Sequence, residues 1–555
     1  MSSLAAKYEY LEKFTRKKWH SEDQKPKTRG YVPFRGKGDR EGGPPKKKQK
    51  NNQEPRKGHN MNTNYRKPTP KSIHKPTQKQ SSTTLQNAAQ IKVQHGEQVK
   101  VQQKTEGIKS EEFSTVDILR KRLHEKIEAS RGQTNMSRQL HARRLENTDK
   151  NVWVEFVQLA AEYNVVNLGQ GFPDFSPPSF LLEYLYNAIK GGSSMHQYTR
   201  VFGHPPLVKS LAKFYGRILA REIDPMQEIL VSVGAYGALF CAFQALIDEG
   251  DEVIIVEPFF DCYESMTLMA GGKPVYIPLK PQKVTGPTVS SADWVLCPEE
   301  LGSKFNSRTK AIVINTPNNP LGKVFQREEL QMIADLCIKH DVICFSDEVY
   351  EWLTYDGAQH IKMSSLPDMW ERTITIGSAG KCFSATGWKV GWAMGPGHLL
   401  KHLCTVHQNS LYHCPTLSQE AFAAAFEREY ELFGTEESYF KQLPKQLQAK
   451  RLSLVECLKS IGLQPFMPEG GYFIMADISS LKVDLNDASS KDEPYDYRFV
   501  KWLIKEKRLG TIPVSAFYSA ESRADFQKYV RFCFVKDDST LKAAEDILRR
   551  WKDQK

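Results

Sequence analysis

No stretch of this chain approaches the ~18 consecutive apolar residues that a membrane-spanning helix requires. The longest apolar segment, YGALFCAFQALI at 236–247, is interrupted by Gln244 and runs into Asp248-Glu249. The N-terminus also lacks the continuous apolar core of a secretory signal. None of the ten cysteines, scattered between Cys241 and Cys533, forms a CxxC pair. That spacing argues against a disulfide framework or a zinc site and for reduced thiols in an intracellular protein, so no metal is expected. Large apolar residues are scarce over 1–115. A segment so composed buries too little surface to offset chain entropy, and its few aromatics argue against a base-stacking platform.

What is abundant is positive charge, and it is unevenly spread. Residues 1–80 hold 22 Lys and Arg against 7 Asp and Glu, whereas residues 116–555 hold 51 against 54. The net charge of +12 therefore comes from a basic tail joined to a slightly acidic body of more than 400 residues, long enough for more than one domain.

The tail, 1–135, reads as mostly disordered. Leu4–Trp19 has the pattern of a short amphipathic helix. Over 116–131 a better helix is expected, with Ile118, Leu119, Leu123 and Ile127 on one face and Ser114 or Thr115 as cap. The cluster at Lys46, Lys47, Lys48 and Lys50 suits a nuclear import receptor or the phosphates of RNA; the bland alternative is a solvated tail. MSSLAAKYEYLEKF, GPPKKKQK and LRKRLHEKIEASRGQ, in that order, resemble the N-terminal part of the surfeit-locus ribosomal-RNA-processing family. The resemblance implies a nucleolar, RNA-binding tail, although the long basic helical region that follows in that family is absent. A different texture starts at Met136, so a fusion of two unrelated segments is expected near Arg131–Met136.

In the body, apolar runs alternate with helical patterns: EILVSVG, DEVIIVEPFF, AIVINTP, VICFSDEVY and TITIGSAGK. This is the pattern of an α/β fold built on a parallel sheet covered on both faces. Ligands of such sheets sit at the carboxyl ends of strands. Four strand ends here carry unusual residues. One is the glycine turn Gly234-Ala235-Tyr236-Gly237 opening a helix, where free N–H groups suit a phosphate. The second is the turn Asn315–Gly322, with two prolines among asparagines. The third holds Asp347, a carboxylate leaving a buried strand, with Tyr350 three residues on. The fourth is Ser378-Ala379-Gly380-Lys381, followed by GWKVGW, where a desolvated lysine becomes nucleophilic. Together a lysine, a buried carboxylate, a phenol, an amide and a phosphate cradle are what pyridoxal 5'-phosphate chemistry needs.

The motifs LGQGFPDF (168–175), QYTRVFGHPPL (197–207), VGAYGALF (233–240), EPFFDCYE (257–264), NTPNNPLGKVF (315–325), SDEVY (346–350), SAGKCFSATGWKVGW (378–392) and YVRFCF (529–534) occur in one order. With them, 136–555 resembles the fold-type I pyridoxal-phosphate aminotransferases of class I/II. LGQGFPDF, EPFFDCYE and NSLYHCPT point to the kynurenine/glutamine subgroup, whose members are also cysteine-S-conjugate β-lyases. The resemblance implies a large domain, 167–425, and a small domain made of 136–166 with 426–555. It implies that Lys381 binds the cofactor covalently and shuttles the α-proton, while Asp347 pairs with the pyridine nitrogen. Asn319 and Tyr350 would bond the ring hydroxyl and Phe260, rather than Phe259, would stack on the ring. Ser378, Lys389 and the backbone of Ala235 and Tyr236 would bind the phosphate, with Tyr198 reaching it from a neighbouring subunit of a homodimer. Arg531, helped by Asn319 and the backbone of Gly171, would grip the substrate carboxylate. Trp153, Tyr236, Tyr412 and His413 would line the side-chain pocket. The expected reaction is amino transfer from kynurenine, glutamine or another bulky or aromatic amino acid to a 2-oxo acid in the cytoplasm, with β-lyase side activity. A non-enzymatic nucleolar RNA-binding protein is the alternative the tail suggests.

Overall fold

The computed structural model describes residues 141–145, 148, 152–282, 289–481, 483, 485 and 492–553. All of these belong to one compact unit, Phe113–Lys555. The expected helices at 4–19 and 116–131, the lysine cluster, the proposed seam at 131–136 and the RNA or import partners lie outside the described residues.

The five apolar runs all form strands of one seven-stranded sheet. In chain order its strands are β1 (Ile229–Val233), β2 (Glu252–Glu257), β3 (Lys273–Pro278), β4 (Thr309–Asn315), β5 (Ile343–Asp347), β6 (Thr373–Ser378) and β7 (Val390–Met394). In space the order is β1-β7-β6-β5-β4-β2-β3. β2 to β6 pair in parallel, while β7 runs antiparallel between β1 and β6. The parallel sheet read from the sequence is thus interrupted by one antiparallel strand. β7 begins inside GWKVGW and runs on to Met394, a short apolar run that carries no sign of its direction.

Both faces of the sheet are buried, as the apolar runs require. Val253 and Ile255 pack into one core cluster and Ile254 and Val256 into another; Ala311 and Val313 separate from Ile312 and Ile314 in the same way. Strand periodicity sends alternate residues to opposite faces, so a strand covered on both sides must be apolar throughout. A second, four-stranded antiparallel sheet comprises β8 (Gln464–Pro465), β9 (Phe473–Asp477), β10 (Ile512–Pro513) and β11 (Tyr529–Cys533), in the order β8-β9-β11-β10. The short parallel pair Val166–Asn167 with Leu509–Gly510 ties the segment after the helix Val152–Glu162 to this C-terminal region. The ten cysteines are all free. Among the described residues no helix is long and apolar enough to cross a membrane.

Candidate active site

The carboxyl ends of β1, β4, β5 and β6 open onto one cavity of about 390 Å³. At the end of β1 the chain turns at Gly234, with φ of +70°, into the helix Gly234–Leu246. No side chain caps that helix, so its first N–H groups are left for something else. The turn lies close against β7: a Cβ on Gly391 would stand 2.3 Å from the Ala235 nitrogen. Lys389, also at positive φ, brings its ammonium toward Gly234, where a Cβ would meet it at 3.2 Å.

β5 ends at Asp347, which is nearly fully buried. Its Oδ2 accepts a hydrogen bond from the Tyr263 hydroxyl at 2.6 Å, and Oδ1 a longer one of 3.3 Å from the Val349 N–H. Burial outweighs these donors and pushes the carboxyl up to about 6. Tyr350, on the same turn, is buried and its phenol is raised by desolvation.

β6 ends at Ser378, whose hydroxyl accepts the Lys381 N–H and so starts the short helix Ala379–Cys382. That turn aims Lys381 back into the cavity, where its Nζ donates to the Gly171 carbonyl at 3.0 Å. Enclosed by protein and open only to the cavity, the amine is pushed down to about 8, chiefly by desolvation, with Arg531 and Lys389 acting in the same direction. The ring of Tyr472 lies 4.9 Å from it and that of Tyr350 5.4 Å.

β11 carries Arg531, a fully buried guanidinium. Nη1 donates to Asn319 Oδ1 at 2.8 Å and Nη2 to the Gly169 carbonyl at 2.7 Å, while Nε has no partner. Its Cζ stands over the Phe473 ring at 3.8 Å from the centroid, and 5.0 Å from the rings of Trp153 and Phe517. Burial lowers its pKa to about 10, so it stays charged at neutral pH. A buried cation whose Nε has no partner and to which no carboxylate is bonded suits an anionic ligand.

Lys381, Asp347, Tyr350, Asn319, Phe260, Ala235, Tyr236, Ser378, Lys389, Gly171, Arg531 and Trp153 therefore line one cavity. The two adjacent phenylalanines diverge: Phe259 is buried and stacks on Tyr276, while Phe260 faces the cavity. Three expected residues do not line it. Tyr198 (78 % exposed), Tyr412 and His413 form their own edge-to-face cluster with centroids 5.0–5.8 Å apart. Sequence reasoning did not single out Tyr263, Phe473 or Thr386. Tyr263 sits inside EPFFDCYE but reads as a helix residue, and Phe473 belongs to the second sheet.

The residues present fit pyridoxal phosphate. The uncapped helix start beside Lys389 suits its phosphate, the buried carboxyl, bonded to a phenol and an N–H but to no cation, suits its ring nitrogen, and the desolvated amine suits its aldehyde.

A separate acidic cluster lies behind the β5 turn. Glu348, Glu351 and His360 place their ligand atoms within 4.8 Å of one another. The buried Lys362 ammonium already bridges the two carboxylates at 2.9 and 2.5 Å, so a cation is built into the chain there.

Residues 163–547 match the family model for aminotransferase class I and II. Human kynurenine–oxoglutarate transaminase 1 is 60% identical over 419 residues, covering 75% of this chain and 99% of that protein. Human kynurenine–oxoglutarate transaminase 3 is 59% identical over 415 residues, 75% of this chain and 91% of its own length. Among solved structures, Bna3p of Saccharomyces cerevisiae is similar with a TM-score of 0.70 at 33% identity, over 75% of this chain and 100% of that one.

Proposed function

The chain belongs to the aminotransferase class I and II family, and we propose on that premise that it transfers the amino group of kynurenine, glutamine or another bulky or aromatic amino acid to a 2-oxo acid. Cysteine-S-conjugate β-lyase activity accompanies it, and pyridoxal phosphate is held in the cavity around Lys381. The names and extent of the human relatives support the substrate class. The observation that carries the chemistry is that a desolvated lysine, a buried carboxyl and a buried arginine with a free donor share one cavity.

Bound there, pyridoxal phosphate supplies an electron-accepting ring and a carbonyl carbon open to amines. Lys381, held at about 8, offers a neutral amine at mildly alkaline pH, able to bind covalently and to take and return the proton at the substrate Cα. Asp347, with one oxygen fixed by Tyr263, provides the counter-charge for a protonated ring nitrogen. Asn319 already gives its Oδ1 to Arg531, so its amide nitrogen is the group left for the ring hydroxyl, alongside Tyr350. Phe260 covers the ring; Ser378, Lys389 and the N–H groups of Ala235 and Tyr236 bind the phosphate.

Arg531 Nε, with the Gly171 backbone, receives the substrate carboxylate, and Trp153 and Tyr236 form the wall for its side chain. A leaving group on the substrate Cβ departs after the same α-deprotonation. That Tyr198, Tyr412 and His413 stand outside the chain's own cavity supports a homodimer in which they serve the second copy's site. A large domain, 167–425, and a small domain, 136–166 with 426–555, complete the reading. The seven-stranded and four-stranded sheets each fall within one of these ranges, although the helix Thr416–Leu432 crosses residue 426. We place the enzyme in the cytoplasm.

The test is borohydride reduction of the purified protein followed by peptide mass spectrometry. A pyridoxyl-phosphate mass on Lys381 is expected; its absence, or its location on another lysine, contradicts the reading.

A further inference from the structure

Asp261 follows Phe260 directly and precedes the helix Cys262–Met269 at the position where an aspartate ordinarily caps. It makes no side-chain cap. Instead its Oδ2 accepts the Trp153 indole N–H at 3.0 Å, across 108 residues of sequence. Its other oxygen is buried with no hydrogen-bond partner. The carboxyl is raised by desolvation, against which the Trp153 bond, the nearby Arg531 charge and, more weakly, the backbone N–H groups of Asp261 and Cys262 act. A residue at the capping position whose side-chain hydrogen bond runs to a distant indole is not explained by the helix itself.

Trp153 accounts for it. Its helix, Val152–Glu162, is mostly surface-facing, with only Phe156 fully buried and Val154 two-thirds exposed. The helix is held to its surroundings by the Phe156–Tyr497 ring contact and a Glu155–Lys501 ion pair. The Asp261 bond restrains the plane of the indole at the first turn, with the ring 5.0 Å from the Arg531 guanidinium, 6.5 Å from Phe260 and edge-on to Phe517 at 6.2 Å. It also links this peripheral helix to the strand-end loop that carries Phe260.

We propose that Asp261 is a positioning residue for substrate selection: through its hydrogen bond it holds the Trp153 indole as a fixed wall beside Arg531, favouring amino acids with large flat side chains. The inference rests on the transaminase reading above. Asp261 does not line the cavity; its hydrogen bond into the site is the one to Trp153, with the Arg531 charge nearby.

The test compares Asp261→Ala, Asp261→Asn and Trp153→Phe in the cofactor-loaded enzyme, using kynurenine and alanine as donors. Asp261→Ala removes the acceptor, Asp261→Asn keeps an acceptor oxygen without the charge, and Trp153→Phe keeps a ring without the N–H. For kynurenine, Asp261→Ala and Trp153→Phe should each raise KM about tenfold, the worth of one hydrogen bond, and Asp261→Ala should keep kcat within about twofold. Asp261→Asn should restore KM to near the parent value, and alanine kinetics should barely move in either Asp261 variant. The double variant Asp261→Ala/Trp153→Phe should be no worse than either single one, because both remove the same contact. Indole N–H exchange of Trp153, read by NMR without substrate, should be slow in the parent and Asp261→Asn and fast in Asp261→Ala.

Equal losses for both donors, additive effects in the double variant, or an unchanged indole exchange rate would overturn the proposal. If Asp261→Ala fails to fold, the Trp153→Phe selectivity and the Asp261→Asn exchange rate still decide it. A parent enzyme that transaminates neither donor would instead overturn the proposed function, a distinguishable outcome.

Discussion

The hydroxyl of Tyr263 donates to Asp347 Oδ2 at 2.6 Å. The two residues lie 84 positions apart, one on the helix after β2 and the other at the end of β5. Removing this donor leaves a buried carboxylate oxygen unsatisfied. Tyr263→Phe should therefore weaken pyridoxal-phosphate affinity roughly 10- to 100-fold, the worth of a hydrogen bond to a charged group. Equilibrium dialysis of the stripped enzyme against the cofactor measures it.

The Lys381 amine, at about 8 in the folded chain against 10.5 for an ordinary lysine, carries a pH signature. Below about 8 both folded and unfolded states hold the proton, and folding bears the cost of the buried charge. Between about 8 and 10.5 the folded chain has released it while the unfolded chain has not, so stability should rise with pH across that window. In the cofactor-free protein, acylation at Lys381 followed by mass spectrometry should show a reactivity midpoint near 8. Lys381→Met should lose the rise in stability.

Much of this was readable in the sequence because buried parallel strands must be apolar, and their polar punctuation marks where they end. Asp347, Lys381 and Asn319 each follow such a run. The reversed direction of β7 was not readable, since Val390–Met394 is as apolar as its neighbours. Tyr263 and Asp261 were hidden inside a helical pattern whose period says nothing about long-range partners. Phe473 comes from the other sheet, and only the fold brings its ring to Arg531.

Gly391 has no room for a side chain. A Cβ there would meet the Ala235 nitrogen at 2.3 Å and the Gly377 carbonyl at 2.8 Å, both backbone atoms that cannot swing away. Gly391→Ala should displace the start of the helix Gly234–Leu246. A stability loss of about 1–3 kcal/mol is expected in denaturant unfolding, together with weaker phosphate affinity of the site.

Arg531→Lys keeps the charge but loses the fork that reaches Asn319 and Gly169 together. KM for the amino donor should rise by roughly one to two orders of magnitude, with a smaller change in kcat. Steady-state kinetics at fixed 2-oxo acid would show it.

Behind the site, Lys362 bridges Glu348 and Glu351, and His360 also bonds Glu348. Burial alone would raise Glu348, but Lys362 and His360 outweigh it and hold it at about 2. Its stabilisation is fully present above the unfolded value of 4.5 and is lost as pH falls from there toward 2. Lys362→Met removes the ammonium the two buried carboxylates share and should cost about 3–5 kcal/mol at pH 7, less at pH 4, in urea unfolding.

The central claim is that Lys381 makes this cavity a transaminase. Its most direct measurement is transfer of 15N from labelled kynurenine or glutamine to an unlabelled 2-oxo acid, followed by mass spectrometry in the purified full chain and in Lys381→Ala. The account predicts label in the newly formed amino acid with the parent chain, and a fall of at least about a thousandfold in Lys381→Ala, with cofactor still bound non-covalently. Undiminished transfer by Lys381→Ala, or no transfer by the cofactor-loaded parent from any bulky or aromatic donor, would contradict it.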